Sequence, residues 1–335
     1  MNKKLLLTSA LCGSVMLSGA ALSETKITGN MTLSYMANSE ATKANSNNGM
    51  GRETQLNISN SGDLNNGLGY KAGFSLEFDG ASEGSSTSNE NVYIDIVSGD
   101  TTVSFGLDHL PNTSQSAAPR VAENANTALT QLASTSEQYK YHAGSGIKES
   151  FGIGVIQNGI GGGFVSASYV PKVGDAGGND SSIDATSGNA AWNIIYNGNL
   201  GIDGVTVKAA YQKEEADTAS AQDVKVIQYG AAYNFGQFSA GIQVNDTDET
   251  TANTDTKSIE YGVTAALSDN FTAGITFITT DRNTTATDEE ITMAAIGYNL
   301  GPVAVTASYT ELQNASGSTS AKDVEAFNLR ASTKF

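Results

Sequence analysis

Few residues of this chain are equipped for bond-making chemistry. His109 and His142 are its only histidines, and neither lies in a metal-spaced or triad-like arrangement. The single cysteine, Cys12, falls in the amino-terminal leader, so neither disulfides nor a thiolate metal site are expected of the exported chain. GIGGG, Gly159 to Gly163, carries the glycines of a phosphate loop, but a strand pattern follows it in place of Lys-Ser/Thr and a helix. The acidic run NDTDET, Asn245 to Thr250, could hold Ca²⁺ loosely, although it lacks the spacing of an EF-hand loop. No other cofactor and no catalysis are expected. What remains is a set of charges placed singly on alternating segments, among them Lys71, Glu77, Lys140, Lys208, Glu260 and Arg330. On a solvated strand face such charges do nothing in particular. Facing a narrow water-filled space, they order water and sort solutes by charge.

The segments that carry these charges alternate with period two. From Ile27, Gly29, Met31, Leu33 and Tyr35 interleave with Thr28, Asn30, Thr32 and Ser34. LGYKAGFSLEF, VTVKAAY, QFSAGIQVN, SIEYGVTAAL, FTAGITF and VAVTASY repeat the pattern. The end of the chain repeats it once more in FNLRASTKF, which stops on Phe335. Short joints such as LSDNF and NLGPV alternate with long polar stretches such as NDTDETTANTDTK and LQNASGSTSAKD, as in a meander whose two ends face different compartments. The apolar sets are rich in Gly and Ala and are punctuated by Tyr near segment ends. Taken together, these features favour an all-β, transmembrane, antiparallel up-and-down β-barrel, with its greasy face in lipid and its wet face around a lumen.

The leader agrees. Residues 1–23, MNKKLLLTSALCGSVMLSGAALS, have Lys3 and Lys4, a short apolar stretch and small residues at the end, which is the form of a secretory signal peptide. Residues 24–335 are then one barrel domain, and losing Lys3 and Lys4 takes the formal charge from −17 to −19. So acidic a surface argues against nucleic acid as a partner. Pattern alone suggests seventeen strands, one of them over 136–142. Single-chain bacterial barrels have even numbers, and the two orientations collide near FGIGVIQNGIGGG. Phe151 to Asn158 is therefore assigned to a turn extension or partial strand, leaving sixteen strands, with eighteen the other even count open.

SGDLNNGLGYKAGFSLEF, Ser61 to Phe78, resembles the turn and third strand of the general porins of Gram-negative outer membranes. NENVYIDIVSGDTTVSFGLDHLP, YKYHAG and the final Phe335 are similar to the same family. The resemblance implies a sixteen-stranded barrel, usually a homotrimer, embedded in outer-membrane lipid and lipopolysaccharide and passing small hydrophilic solutes by diffusion. It also implies that Phe335 is read by the barrel assembly machinery as an insertion signal. A long third loop, about 109–136, would fold into the lumen as a constriction, carrying Glu123 with Arg120 near it. The charges facing it would be Lys71, Glu77, Lys140, His142, Lys208 and Arg330. Two positions depart from the family: FGLD places Asp108 where an Arg is common, and in GRETQLNIS the match falls on Gln55, with Arg52 several residues earlier. Both departures suggest a pore biased toward cations.

Of the rival readings, a substrate-specific porin is the nearest. A secreted all-β adhesin or solenoid would need a short fixed repeat, which is missing. An outer-membrane barrel enzyme would need a nucleophile with His and acid partners, and the two histidines make that a poor fit.

Overall fold

The computed structural model describes residues 23–39, 47–78, 88–111, 147, 150–173, 189–216, 223–248, 255–283, 287–314 and 323–335. The strands follow one another as β1 (Glu24–Asn38), β2 (Asn47–Asp63), β3 (Gly69–Glu77), β4 (Ser88–Ser98), β5 (Thr101–Gly106), β6 (Gly152–Ile160), β7 (Gly163–Val170) and β8 (Ala191–Gly198). The second half comprises β9 (Val205–Glu214), β10 (Val224–Phe235), β11 (Phe238–Asp248), β12 (Thr256–Ser268), β13 (Phe271–Arg282), β14 (Glu289–Leu300), β15 (Val303–Gln313) and β16 (Val324–Lys334). Each strand is antiparallel to its sequence neighbours, and β16 pairs with β1 to close a sixteen-stranded barrel. Among the described residues no helix is long and apolar enough to cross a membrane.

The faces are inverted relative to a water-soluble protein. On β12, Ile259, Tyr261 and Val263 are 37, 46 and 44% exposed, whereas Ser258 and Glu260 between them are 3 and 2% exposed. Side chains alternate across a strand, so every strand presents one set to the outside and the other to the interior. Here the outside set is apolar, which only a hydrocarbon surround makes stable.

The two ends of the barrel differ as the loop pattern suggests. One end turns over 99–100, 161–162, 236–237, 269–270 and 301–302, while the other carries 39–46, 78–87, 107–151, 171–190 and 249–255. The DLNNGL turn between β2 and β3 shows why its residues are there. Leu64 N–H donates to Leu68 O at 2.6 Å and Gly67 N–H to Leu64 O at 3.0 Å, which requires φ of +82° at Gly67, a conformation glycine adopts without steric cost. At the opposite end β9 and β10 are clasped by Lys213 Nζ and Asp223 Oδ2 at 2.8 Å. The Lys213 hydrogen bond, and after it the Ala216 N–H, hold the Asp223 carboxyl below its usual range. Because the folded-state value is the lower one, this contribution is complete above the ordinary carboxylate pKa and is lost as pH falls through the lowered value.

Against the expectation of a turn extension or partial strand, Phe151 to Asn158 lies almost wholly in the full strand β6, bonded to β5 from Thr101↔Gln157 to Gly106↔Gly152 and to β7 on its other side. Its inward positions include Gly152 and Gly154, which carry no polar side chain to mark the wet face, so the alternation is hidden. The wall passes directly from β5 to β6; the strand expected over 136–142 lies outside the described residues.

The seam is closed by the last residue. Gly29 N–H donates to Phe335 O at 2.7 Å, and Phe335 N–H donates to Gly29 O at 2.9 Å. The Phe335 ring covers Gly29 so closely that a Cβ there would stand 2.5 Å from Cε2 and Cζ. Gly29→Leu is therefore expected to destabilise the barrel by about 1–3 kcal/mol through overpacking, and Phe335→Ala in the same chain to restore part of the loss. Heat-modifiable gel mobility measures both: the folded band of Gly29→Leu should disappear at a lower temperature, and the double variant should recover.

Candidate functional site

The interior is read from register, because residues directly opposite across two strands share a face. Lys71 on β3 stands opposite Asp95 on β4 and Ser61 on β2. Glu77 stands opposite Gln55 and Ser88. On β16 the Arg330 guanidinium lies 3.7 Å from Glu53 Oε2 and donates to Thr32 Oγ1 at 3.2 Å. Lys208 on β9 is opposite Gly230, which has no side chain, and the row continues through Gln243 to Glu260 on β12. Farther round, Arg282 and Glu289 approach to 3.6 Å, both nearly buried.

A polar belt joins these pairs on β10 to β12. Gln228 Nε2 donates to Asn245 Oδ1 at 2.7 Å, Gln243 Nε2 donates to the same oxygen at 3.1 Å, and Asn245 Nδ2 donates to Ser258 Oγ at 3.3 Å. Among the described residues no group of three or more His, Cys, Asp or Glu is placed to hold a metal ion.

Sequence-level expectation and position agree unevenly. Lys71, Glu77, Lys208 and Arg330 face inward by register. Arg52 does not: it stands opposite Leu33 on the outward face, and its neighbour Glu53 is the inward residue, opposite Thr32. The family match fell on Gln55, an odd number of positions away, and period two sends such a pair to opposite sides. Asp108 lies just beyond β5, half-buried and with φ of +55°. Arg120, Glu123, Lys140 and His142 lie outside the described residues, as does most of the expected constriction loop.

The described beginning of that loop is inside the barrel. His109 Nε2 donates to Asp95, lying 3.1 Å from both carboxylate oxygens, and its ring stacks on Tyr93 with centroids 3.8 Å apart and planes 9° from parallel. The next residues cross the inner face of β6. Leu110 is buried with Ile147, Val170 and Ala191, and the Pro111 carbonyl accepts from Ser168 Oγ and Asn193 Nδ2, each at 3.0 Å. A Cβ on Gly154 would meet Pro111 Cδ at 3.2 Å and Leu110 Cδ2 at 3.3 Å. The inward glycines of β6 thus make the groove in which this crossing lies. Sequence reasoning missed Asp95 and His109 as partners and missed the groove; the glycines of FGIG, spaced two apart, were the available signal.

Away from the short-turn rim, acids outnumber bases on the described inner face. Glu53, Asp95 and Glu289 each neighbour a basic group; Glu77, Glu90, Glu214 and Glu260 add to them, against Lys71, Lys208, Arg282 and Arg330.

Gly154→Leu is expected to push Leu110 and Pro111 off the wall into the lumen. Single-channel conductance in planar bilayers should fall while heat-modifiable mobility still reports a folded barrel; unchanged conductance would detach the crossing from the water path.

Comparison with known proteins adds the following. Residues 8–318 match the family described as Gram-negative porin. No curated protein sequence matches the chain significantly. Among solved structures, the chain is similar to the anion-selective porin from Comamonas acidovorans, with a TM-score of 0.69 and 14% identity, over 94% of this chain and 100% of that one. It is similar to a triple mutant of the Rhodopseudomonas blastica porin, with a TM-score of 0.62 and 14% identity, over 93% of this chain and 100% of that one. It is also similar to OmpT, an outer membrane protein of Vibrio cholerae in trimer form, with a TM-score of 0.62 and 12% identity, over 93% of this chain and 99% of that one.

Proposed function

The chain belongs to the Gram-negative porin family, and on that footing we propose that this outer-membrane channel passes small hydrophilic solutes by passive diffusion, cations ahead of anions. The observation that carries the reading is the inverted barrel: a closed wall with apolar side chains outside and Ser, Thr, Asn, Gln and paired charges inside. The family and fold are those of channels.

The preference for cations rests on charge. The described inner wall carries more acids than bases, and residues 112–146 add no net charge, since Arg120 and Lys140 offset Glu123 and Glu137. The Comamonas porin is described as anion-selective; at 14% identity that property does not transfer. A homotrimer is supported by the trimer form of the Vibrio protein. It is supported too by polar groups on the outer face of β1 to β3, where Asn60 Nδ2 donates to Thr25 Oγ1 at 2.8 Å, Tyr70 donates to Asn60, and Arg52 faces outward. Polar side chains of this kind fit a protein neighbour better than hydrocarbon. Residues 1–23 as a cleaved leader, lipopolysaccharide around the rim and recognition of Phe335 by the assembly machinery belong to the same reading.

The test is planar-bilayer conductance of the purified mature protein in a KCl gradient. A large, unsaturating conductance with a reversal potential on the cation side is expected. Saturation by one solute class would favour a substrate-specific porin, and no conductance would reject both. Lys71→Glu should move the reversal potential further toward cations; no movement would remove Lys71 from the conducting path.

A further inference from the structure

Exposure is distributed unevenly around the inner wall. On the β10 to β15 side the inward residues are sealed: Gln243 is 0% exposed, Gln228 1%, Glu260 2%, Ser258 3% and Thr310 0%. On β2 to β4 most of the corresponding residues are open, Ser75 at 2% and Asp95 at 7% being the exceptions. The Glu53 side chain is 45% exposed, Lys71 is exposed, and Gln55, Glu77 and Glu90 are partly exposed. A sixteen-stranded barrel is wide enough to wet its whole interior, so this contrast marks one sector of the wall as the side that water reaches.

We propose that solutes pass along the β2–β4 sector, and that Glu77 and Glu90 are the side chains there that set the charge preference, with Lys71 deeper on the same face. The inference rests on the channel reading and goes beyond it by naming the wall and the residues. Glu90 is brought to this face by an irregularity: the β3–β4 register shifts between Gly73 and Ser75, so that Glu90 stands opposite Ser75, one inward position from Glu77. Asn91, with φ of +50°, takes up the extra residue. Its Nδ2 donates to Ser75 Oγ at 3.3 Å, and Ser75 Oγ donates to Asn57 Oδ1 at 2.6 Å, which pins the bulge to β2. A bulge of this kind re-aims the side chain beside it. Two carboxylates a single step apart on a wetted wall attract cations and repel anions in the space they border. Among the described residues no comparable pair is open on the β10–β15 side, where Glu260 is buried and Glu289 is buried beside Arg282.

The test uses the absence of cysteine after the leader. Gln55→Cys, Glu90→Cys, Ser258→Cys and Thr310→Cys are made in the full chain and exposed to a charged, water-soluble methanethiosulfonate reagent during bilayer recording. The first two are expected to react and step the conductance down, and the last two to stay unreacted. Alongside, Glu77→Gln with Glu90→Gln is expected to lower the cation-to-anion permeability ratio to roughly half, and the Asp variants at both positions to retain it. Reaction of Ser258→Cys as fast as Glu90→Cys would overturn the one-sided path. An unchanged permeability ratio in a conducting Gln double variant would overturn the role of the two glutamates. A parent protein that does not conduct would overturn the channel reading, and this inference with it.

Discussion

Hydrocarbon offers no hydrogen-bond partners, and an unpaired backbone amide or carbonyl there costs several kcal/mol. A sheet that spans a membrane must therefore have no edge. In this chain that demand falls on β1 and β16, which are paired over Asn30↔Lys334 to Asn38↔Ala326 although they come from opposite ends of the sequence. The reciprocal bonds between Gly29 and Phe335 extend the ladder to the last residue. The ring of Phe335 needs Gly29 bare to lie against the strand. Once the sheet is closed, its outer side chains have only lipid to meet, and the rest of the pattern follows. Ile259, Tyr261 and Val263 point out because burying them inside would leave Ser258 and Glu260 in hydrocarbon.

Closure also creates an interior that the wall alone leaves wide. Part of it is filled by the chain itself. The crossing after β5 is held by three kinds of interaction in consecutive residues: the His109–Asp95 contact with its Tyr93 stack, the burial of Leu110, and the Pro111 carbonyl bridging β7 and β8. Inward apolar residues elsewhere fit the same economy of space. Ile278, Ile291, Met293, Leu312, Val324 and Ala326 form a cluster on the inner face of β13 to β16, so the interior is not uniformly wet. Polar side chains stay open to the lumen on only part of the circumference.

Charge on this wall is organised mainly as neighbouring pairs. Arg330 with Glu53 and Arg282 with Glu289 each join a base to an acid on a nearby strand. Burying an unpaired charge is costly and a paired one much less so, which explains why the sealed residues Arg282 and Glu289 occur together. Pairing of this sort cancels the field at a distance. The charges left to act on a passing ion are those in the open sector, where the excess of acid lies.

The sequence by itself determined the architecture: strands of period two, the asymmetry of short turns and long loops, and the alternation that turns Lys71, Glu77, Lys208 and Arg330 inward. These are local properties, since side-chain direction along a strand repeats every second residue whatever the partner strand does. Tertiary structure decided the rest. Parity between Arg52 and Gln55 turned Arg52 outward, and Gly152 and Gly154 hid a strand whose inner face another stretch of chain covers. The bulge at Asn91 aimed Glu90, and Asp95 found His109 from another element. Each of these depends on which residues stand opposite one another across strands and on what lies over the wall, and neither relation is written in the spacing of a single segment.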